Sequence, residues 1–344
     1  MTERRKVRWL IAHYPVYLFV RTAKKFTEEL EKLCPGQFEI EIHTIDSYVA
    51  KYNGAEAMRL IPPNIRNLEE ISEGRQDLQV KAPKDIRTKW TAIFDSLRAG
   101  DFELSQTQVS IVGEHLHKNF NALDLPFLFD SHDHVTRVLD GDIGDQLCEE
   151  LGEKTDIKGL AFTYSGGYRV IGSTHEITNL TELAQTKLLT TTTPSTILFR
   201  EAGAKPLPRG HAEVSDLGDL AESGAVETTY LRFTGKHVFK TDHSIFMTTI
   251  LTGNGFWDTL TPEQQDAFKI AAKSVAKTER IWSVEDADKY EREAEAKGVK
   301  IVDITDADRA YLKKSAQASY RAIKSVNIDP TLVRNIIASG DRNQ

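Results

Sequence analysis

Two hydrophobic periods share this chain. KVRWLIAH, near the start, is an almost unbroken apolar run and predicts a strand buried on both faces. After it, Phe19, Ala23, Phe26, Leu30 and Leu33 recur at spacings of four and three. That stripe predicts one face of an amphipathic helix, ended by Cys34-Pro35-Gly36. FEIEIHTI then alternates, with Phe38, Ile40 and Ile42 against Glu39, Glu41 and His43, as a half-buried strand does. Helical spacing returns with Ile86, Trp90, Ile93, Phe94 and Leu97, Gly100 closes that helix, and FELSQ reads as the next strand. Thr261-Pro262-Glu263-Gln264 is a helix start: a threonine cap, a proline in the first turn and a glutamine that completes a capping box. The spacing continues through Phe268, Ala272, Val275, Trp282 and Tyr290 towards Gly298. A helix that long exceeds an ordinary domain diameter, so it either crosses two domains or breaks near Trp282. VKIVDI predicts a late strand, and Thr305 caps a further helix. Alternation of strands and helices along nearly the whole chain argues an α/β fold. Residues 46–85 fit neither period, with Gly54, Pro62-Pro63 and Gly74 interrupting. A connection this long is expected to be a lid, a partner surface or disordered.

Length and composition narrow the class. A chain of 344 residues suits two domains, and 40% hydrophobic with 28% charged residues is normal for a globular protein with ordinary cores. A net charge of −7 without an extended basic patch argues against a nucleic-acid or anionic-membrane surface. Cys34 and Cys148 sit in dissimilar contexts without zinc-ligand spacing, and read as two buried free thiols. No apolar run approaches the ~20 residues that span a bilayer. The N-terminal basic cluster precedes only the short run WLIA, which His13 and Pro15 interrupt, so it does not read as an export signal. A cytoplasmic protein and a mature exported one both stay open at this point.

Catalytic signatures are missing where they would be expected. TYSGGYR is the nearest stretch to a nucleophile elbow and does not match one. His132-Asp133-His134 opens a predicted helix, where polar capping residues are ordinary, and is not read as a metal centre. No phosphate-binding glycine loop is present, and no cofactor is expected. The informative residues are aromatic and polar groups at predicted strand ends. They are His13, Tyr14 and Tyr17; Gln106 and Gln108; Tyr164, Tyr168 and Arg169 in KGLAFTYSGGYRVIGS; and Glu227, Thr228, Thr229 and Tyr230 after SGAV. TKLLTTTTPS belongs with them: Leu188-Leu189 predicts a short strand, Thr190 to Thr193 a polar loop and Pro194 a helix start. No charged side chain lies between Lys187 and Arg200. Ligands gather at the carboxyl ends of strands in open α/β sheets, and aromatic walls with a few polar groups suit a small molecule. Arg169, beside Val170 and Ile171, needs an anionic or multi-acceptor partner if it is buried.

Several stretches in fixed order carry a family resemblance. LDLPFLFDSHDHVTRVLDGDIGDQLCEEL, KGLAFTYSGGYRVIGS, ITNLTELAQTKLL, FREAGAKPLP, AEVSDLGDLAESGAVETTY and TDHSIFMTTILTGNGFWDTLTPEQQDAF are among them. The chain resembles the DctP-type substrate-binding proteins of tripartite ATP-independent periplasmic (TRAP) transporters, over nearly its whole length apart from residues 46–85. The resemblance implies an α/β, two-domain periplasmic-binding-protein-like fold with a long helix spanning both domains. It implies domain I over 1–163 plus 242–277, with the insert 46–85, and domain II over 164–241 plus 278–344. Hinges are expected near Thr163–Tyr164, near Thr241–Asp242, and around Lys277 to Trp282. The implied function is capture of a small polar solute, an organic acid or related molecule, and its delivery to TRAP membrane subunits. The protein would be periplasmic or extracytoplasmic, monomeric and not an enzyme.

Arg169 matches the arginine of the family's Gly-Phe-Arg segment and is expected to orient the solute. Thr190, Thr191, Gln106 and Gln108 would add hydrogen bonds, and Tyr164, Tyr17, His13, Tyr14 and Tyr230 would line the wall. The family's second, carboxylate-clamping arginine corresponds to Leu189; the asparagine it often carries corresponds to Thr228, beside Glu227, and its aspartate to Gly224. Loss of a bidentate arginine should weaken carboxylate capture, while threonine hydroxyls suit polyol, sugar-like or amide groups. The alternatives are an enzyme acting on a small acid with Glu227 or His13 as base, and a ligand sensor.

Overall fold

The computed structural model describes residues 3–12, 16–44, 47–48, 51, 86–184, 186–208, 220–225 and 237–340. The insert 46–85 therefore lies almost wholly outside the described residues, as do His13, Tyr14, Glu227, Thr228 and Tyr230. Strand β1 (Arg5–Ile11) leads into helix α1 (Val16–Leu33) and strand β2 (Phe38–Thr44). Helix α1 buries Phe19, Ala23, Phe26 and Leu30 as the spacing predicts. Leu33 is 43% exposed, because Cys34, four residues after Leu30, takes the next buried place. Helix α2 (Ile86–Ala99), strand β3 (Leu104–Gln108) and helix α3 (Val109–His115) follow. A 3₁₀ segment (Lys118–Asp124) then leads to helices α4 (His132–Leu139) and α5 (Asp142–Thr155).

Strand β4 (Ile157–Ser173) is the spine of the molecule. Its 17 residues extend about 56 Å at ~3.3 Å each. Antiparallel pairing to strand β9 (Ile245–Gly253) runs from Ile157 to Tyr168. From Arg169 to Ser173 the strand pairs instead with β7 (Leu220–Gly224), and from Ile171 to Ser173 also with β8 (His237–Lys240) on its other side. The changeover falls at Tyr164–Tyr168, where the register to β9 slips. Gly166 and Gly167 sit there at φ 86° and 80°, values that side-chain-bearing residues rarely adopt. This is one continuous strand, not a strand ending in a loop: two glycines and a bulge bend it without ending it.

Among the described residues, with β5 spanning Lys187–Thr190 and β6 spanning Lys205–Pro208, the sheet runs β2-β1-β3-β9-β4-β7-β5-β6, with β8 and β10 (Lys300–Asp303) off this path. Strands β5 and β6 are parallel, and β5 is also parallel to β7. Helix α6 (Thr193–Glu201) follows β5 directly, with Thr192 accepting the Ser195 N–H as its cap. Helix α7 (Asn254–Trp257) is short, and α8 (Pro262–Ala296) is the long helix. Thr261 and Gln264 form both halves of the expected capping box. Helix α8 passes Trp282 without a break and is about 52 Å long at ~1.5 Å per residue. Helices α9 (Asp306–Ala322) and α10 (Pro330–Ala338) complete the chain, with Thr305 capping α9.

The packing separates into lobes. One pair of apolar clusters flanks the β2-β1-β3-β9 half of the sheet, with Trp9, Phe26 and Phe268 on one side and Phe94, Phe102 and Phe120 on the other. A further cluster of Ile171, Leu188, Leu198, Phe199, Phe239 and Leu312 supports the other half. The result is a bilobed α/β fold in which β4 and α8 run through both halves. Cys34 and Cys148 are buried free thiols, and burial pushes the Cys148 thiol up to about 12. Among the described residues no helix is long and apolar enough to cross a membrane, and no acidic, histidine or cysteine cluster suited to a metal occurs.

Candidate functional site

The polar interior concentrates where β4 changes partners. Arg169 lies at the first residue of the β4–β7 pairing, opposite Gly224. Its side chain has no solvent exposure. Nη1 donates to Thr191 Oγ1 at 2.6 Å, and Nη2 donates to Asp124 Oδ1 at 3.3 Å. Nε faces Glu222 Oε1 at 3.8 Å, and the guanidinium lies over the Phe246 ring, 4.0 Å from its centroid. The anionic partner expected of Arg169 is therefore present inside the protein, twice. Both carboxylates are fully buried, as is the arginine.

Glu222 anchors a network beneath the start of α6. Its Oε2 accepts the Thr191 N–H at 2.8 Å, and its Oε1 accepts the Ser195 hydroxyl at 2.8 Å. His243 Nε2 meets the same Oε1 at 3.2 Å, while His243 Nδ1 lies 2.9 Å from Thr241 Oγ1. Burial disfavours the Glu222 charge, but His243, Arg169 and the Thr191 N–H outweigh it and hold the carboxyl below its usual range. Asp124 lacks such support. Burial and the nearby Glu222 charge lift it to about 6 against the pull of Arg169, and its Oδ2 has no partner.

The other predicted residues are distributed around this point. Thr191 joins Arg169 directly, whereas Thr190 is buried and shares a hydrogen bond with Thr196 at 2.7 Å. Gln106 and Gln108 do not follow a strand; they lie within β3 and are buried. Gln106 Nε2 donates to Thr163 at 2.6 Å and to Thr248 at 3.2 Å, tying β3 and β9 to the middle of β4. Gln108 contacts Ser110. The Tyr164 hydroxyl meets His132 Nδ1 at 3.1 Å, which binds His132 to the centre of β4. Tyr17 is buried in α1 with its ring 5.9 Å from that of Tyr290, away from Arg169's partners.

Helix α8 grips the changeover. Glu279 Oε2 accepts the Tyr164 N–H at 2.7 Å, and Ser283 Oγ accepts the Gly166 N–H at 2.7 Å. Arg280 donates to the Phe162 carbonyl at 2.7 Å and to Asp140 at 2.6 Å. The bulged backbone would otherwise leave buried donors unpaired, and the helix supplies the missing acceptors.

Asp124, Glu222, Ser195, His243 and Glu279 were not singled out from the sequence. Asp124 is embedded in LDLPFLF, and the strand carrying Glu222 ends at Gly224, before the predicted SGAV edge is complete. The signal available was an acidic residue in each of two segments flanked by apolar positions.

The arrangement is a buried polar crossover at the carboxyl ends of β5 and β7, bracketed by strands and helix starts. A family model described as "Bacterial extracellular solute-binding protein, family 7" (DctP) matches residues 65–326. The chain belongs to this family. The match begins inside the 46–85 segment, so family likeness reaches further into it than the sequence motifs did. An uncharacterized protein of Haemophilus influenzae is 26% identical over 221 residues, covering 61% of this chain and 66% of that protein. The 2,3-diketo-L-gulonate-binding periplasmic protein YiaO of Escherichia coli is 29% identical over 252 residues, covering 70% of this chain and 75% of the relative. The sugar acid binding protein DctPAm of Advenella mimigardefordensis, solved with galactonate, superposes with a TM-score of 0.75 at 19% identity and covers 98% of both chains. The family is one of extracellular solute-binding proteins, and the bilobed fold of this chain is theirs.

Proposed function

We propose that this chain captures a small polar solute, an organic acid or related molecule, between two lobes and delivers it to TRAP membrane subunits from the extracytoplasmic side. The observation that carries the reading is the polar crossover around Arg169, built where ligands gather in open α/β sheets and spanned by one strand and one helix. On this reading the lobes are residues 1–163 plus 242–277 and residues 164–241 plus 278–344. They close by rotation about β4 near Thr163–Tyr164, the segment at Thr241–Asp242, and α8 near Lys277–Trp282. Arg169, Thr191 and Gln106 lie at or beside the seam, with Tyr164 on the hinge; His13, Tyr14, Glu227, Thr228 and Tyr230 are proposed to complete the wall. The protein acts as a monomer without catalysis. The Escherichia coli relative is named for 2,3-diketo-L-gulonate and the Advenella protein for a sugar acid, which favours an oxygen-rich solute of similar size here.

The test is a thermal-shift panel of mono- and dicarboxylates, sugar acids, neutral sugars and polyols, amino acids and amides. A solute present at about a hundred times its dissociation constant stabilises the folded state by about 2.7 kcal/mol, a rise of several degrees. A saturable shift with one class supports capture; no shift with any class overturns it.

A further inference from the structure

Carboxylates outnumber guanidinium groups at Arg169, with His243 touching one of them. One guanidinium faces two carboxylates, Asp124 and Glu222, and all three are fully buried. The neighbouring strand offers no second cation, because Leu189 is a buried core residue of β5. Arg169 is partly engaged: Thr191 and Asp124 each accept from one Nη and Phe246 covers one face, while Nε, 3.8 Å from Glu222 Oε1, has no hydrogen-bond partner among the described residues, a position a hydroxyl could accept from while donating to Asp124. A solute carboxylate brought here would add a third negative charge to a desolvated cluster, where like charges repel strongly.

The cluster lacks something different. Glu222 has its oxygens satisfied by Thr191, Ser195 and His243. Asp124 Oδ2 is buried with no hydrogen-bond partner. A buried acceptor left unmade is costly, and a carboxylate oxygen more so than a neutral one. On the proposed lobe division Asp124 belongs to one lobe and Arg169 to the other, so opening of the lobes would bring the buried, orphaned oxygen to the solute. Resting on the solute-capture reading, we infer that the solute group meeting this cluster is a hydroxyl-type hydrogen-bond donor to Asp124 Oδ2, not a carboxylate on Arg169. The solute class is hydroxyl-rich and uncharged at that end, and Arg169 positions Asp124 for it instead of clamping an anion.

Calorimetric titration of matched pairs tests this on the full chain: neutral sugars and polyols against their own aldonates and uronates. The neutral member is expected to bind at least about tenfold more tightly, equivalent to about 1.4 kcal/mol. Asp124→Asn places an amide donor where the solute's donor should sit. In that variant, with folding verified by circular dichroism, neutral-solute affinity is expected to fall at least about tenfold and the preference over the acid to shrink. Binding confined to the acids overturns the inference and leaves solute capture standing. So does a folded Asp124→Asn protein with unchanged neutral-solute affinity. Silence from every class overturns the capture reading itself, and the inference with it. The comparison on the unaltered chain decides the matter even if the variant unfolds.

Discussion

Replacing Arg169 by methionine is expected to damage the fold as well as any binding. Methionine keeps most of the apolar stem against Phe246 but removes the charge. Asp124 and Glu222 then remain buried and uncompensated by a guanidinium. Breaking a buried ion pair by deleting one partner costs about 3–5 kcal/mol. Loss of the cation–π contact with Phe246 adds about 1 kcal/mol. Against a total stability of about 5–15 kcal/mol that is a large fraction. The assay is urea unfolding followed by tryptophan fluorescence near neutral pH and again in mild acid.

The pH dependence of Arg169→Met has a defined sign. The folded carboxyl of Asp124 is lifted from 3.8 to about 6, so the stability it contributes is fully present below 3.8 and lost as pH rises through about 6. Without Arg169 the lift grows, because the attraction that lowered it is gone. The deficit of Arg169→Met should therefore be largest near neutral pH and shrink on acidification, as Asp124 takes up its proton. A loss below about 1 kcal/mol near neutral pH, well under the cost of breaking a buried pair, would refute the reasoning. So would a deficit that does not change with pH.

Two further outcomes follow from particular contacts. Burial lifts Glu279 from 4.5 to about 8 despite the Tyr164 N–H and nearby Arg280 and Arg21, so its stabilising protonation is complete below 4.5 and lost as pH rises through about 8. Glu279→Gln should flatten the dependence of the urea midpoint on pH across that window; parallel curves for the two proteins would contradict it. A Cβ at Gly253 would stand 2.1 Å from the Leu97 carbonyl oxygen, a backbone atom that cannot swing aside. Gly253→Ala should lose about 1–3 kcal/mol and several degrees of melting temperature, and an unchanged melting temperature would show that the α2–β9 approach is loose.

Much of the framework was legible in the pattern of residues. The stripe of α1, the capping box of α8 and the caps of α9 all formed where the sequence placed them. These features depend on neighbours three or four positions away, so local periodicity suffices to read them. Arg169 stood out because a lone charge in an apolar run must find a partner. Its partners did not stand out. Asp124 reads as one polar position in a loop motif, and Glu222 lies in a short strand whose residues do not alternate cleanly.

What the sequence determined by itself is therefore the set of elements, the α/β class and the family, all carried by local spacing and by motifs in fixed order. What only the tertiary structure decided is the electrical character of the site. Asp124 and Arg169 are 45 positions apart, and Glu222 meets His243 across 21 and Thr191 across 31. No periodicity links such positions. They meet because β4 changes partners at Arg169, which brings the ends of β5 and β7 and the start of α6 against the segment before it. Whether a buried arginine is a free clamp or an already neutralised one depends on which charges fall within a few ångströms of it, and that distance is set by folding, not by order along the chain.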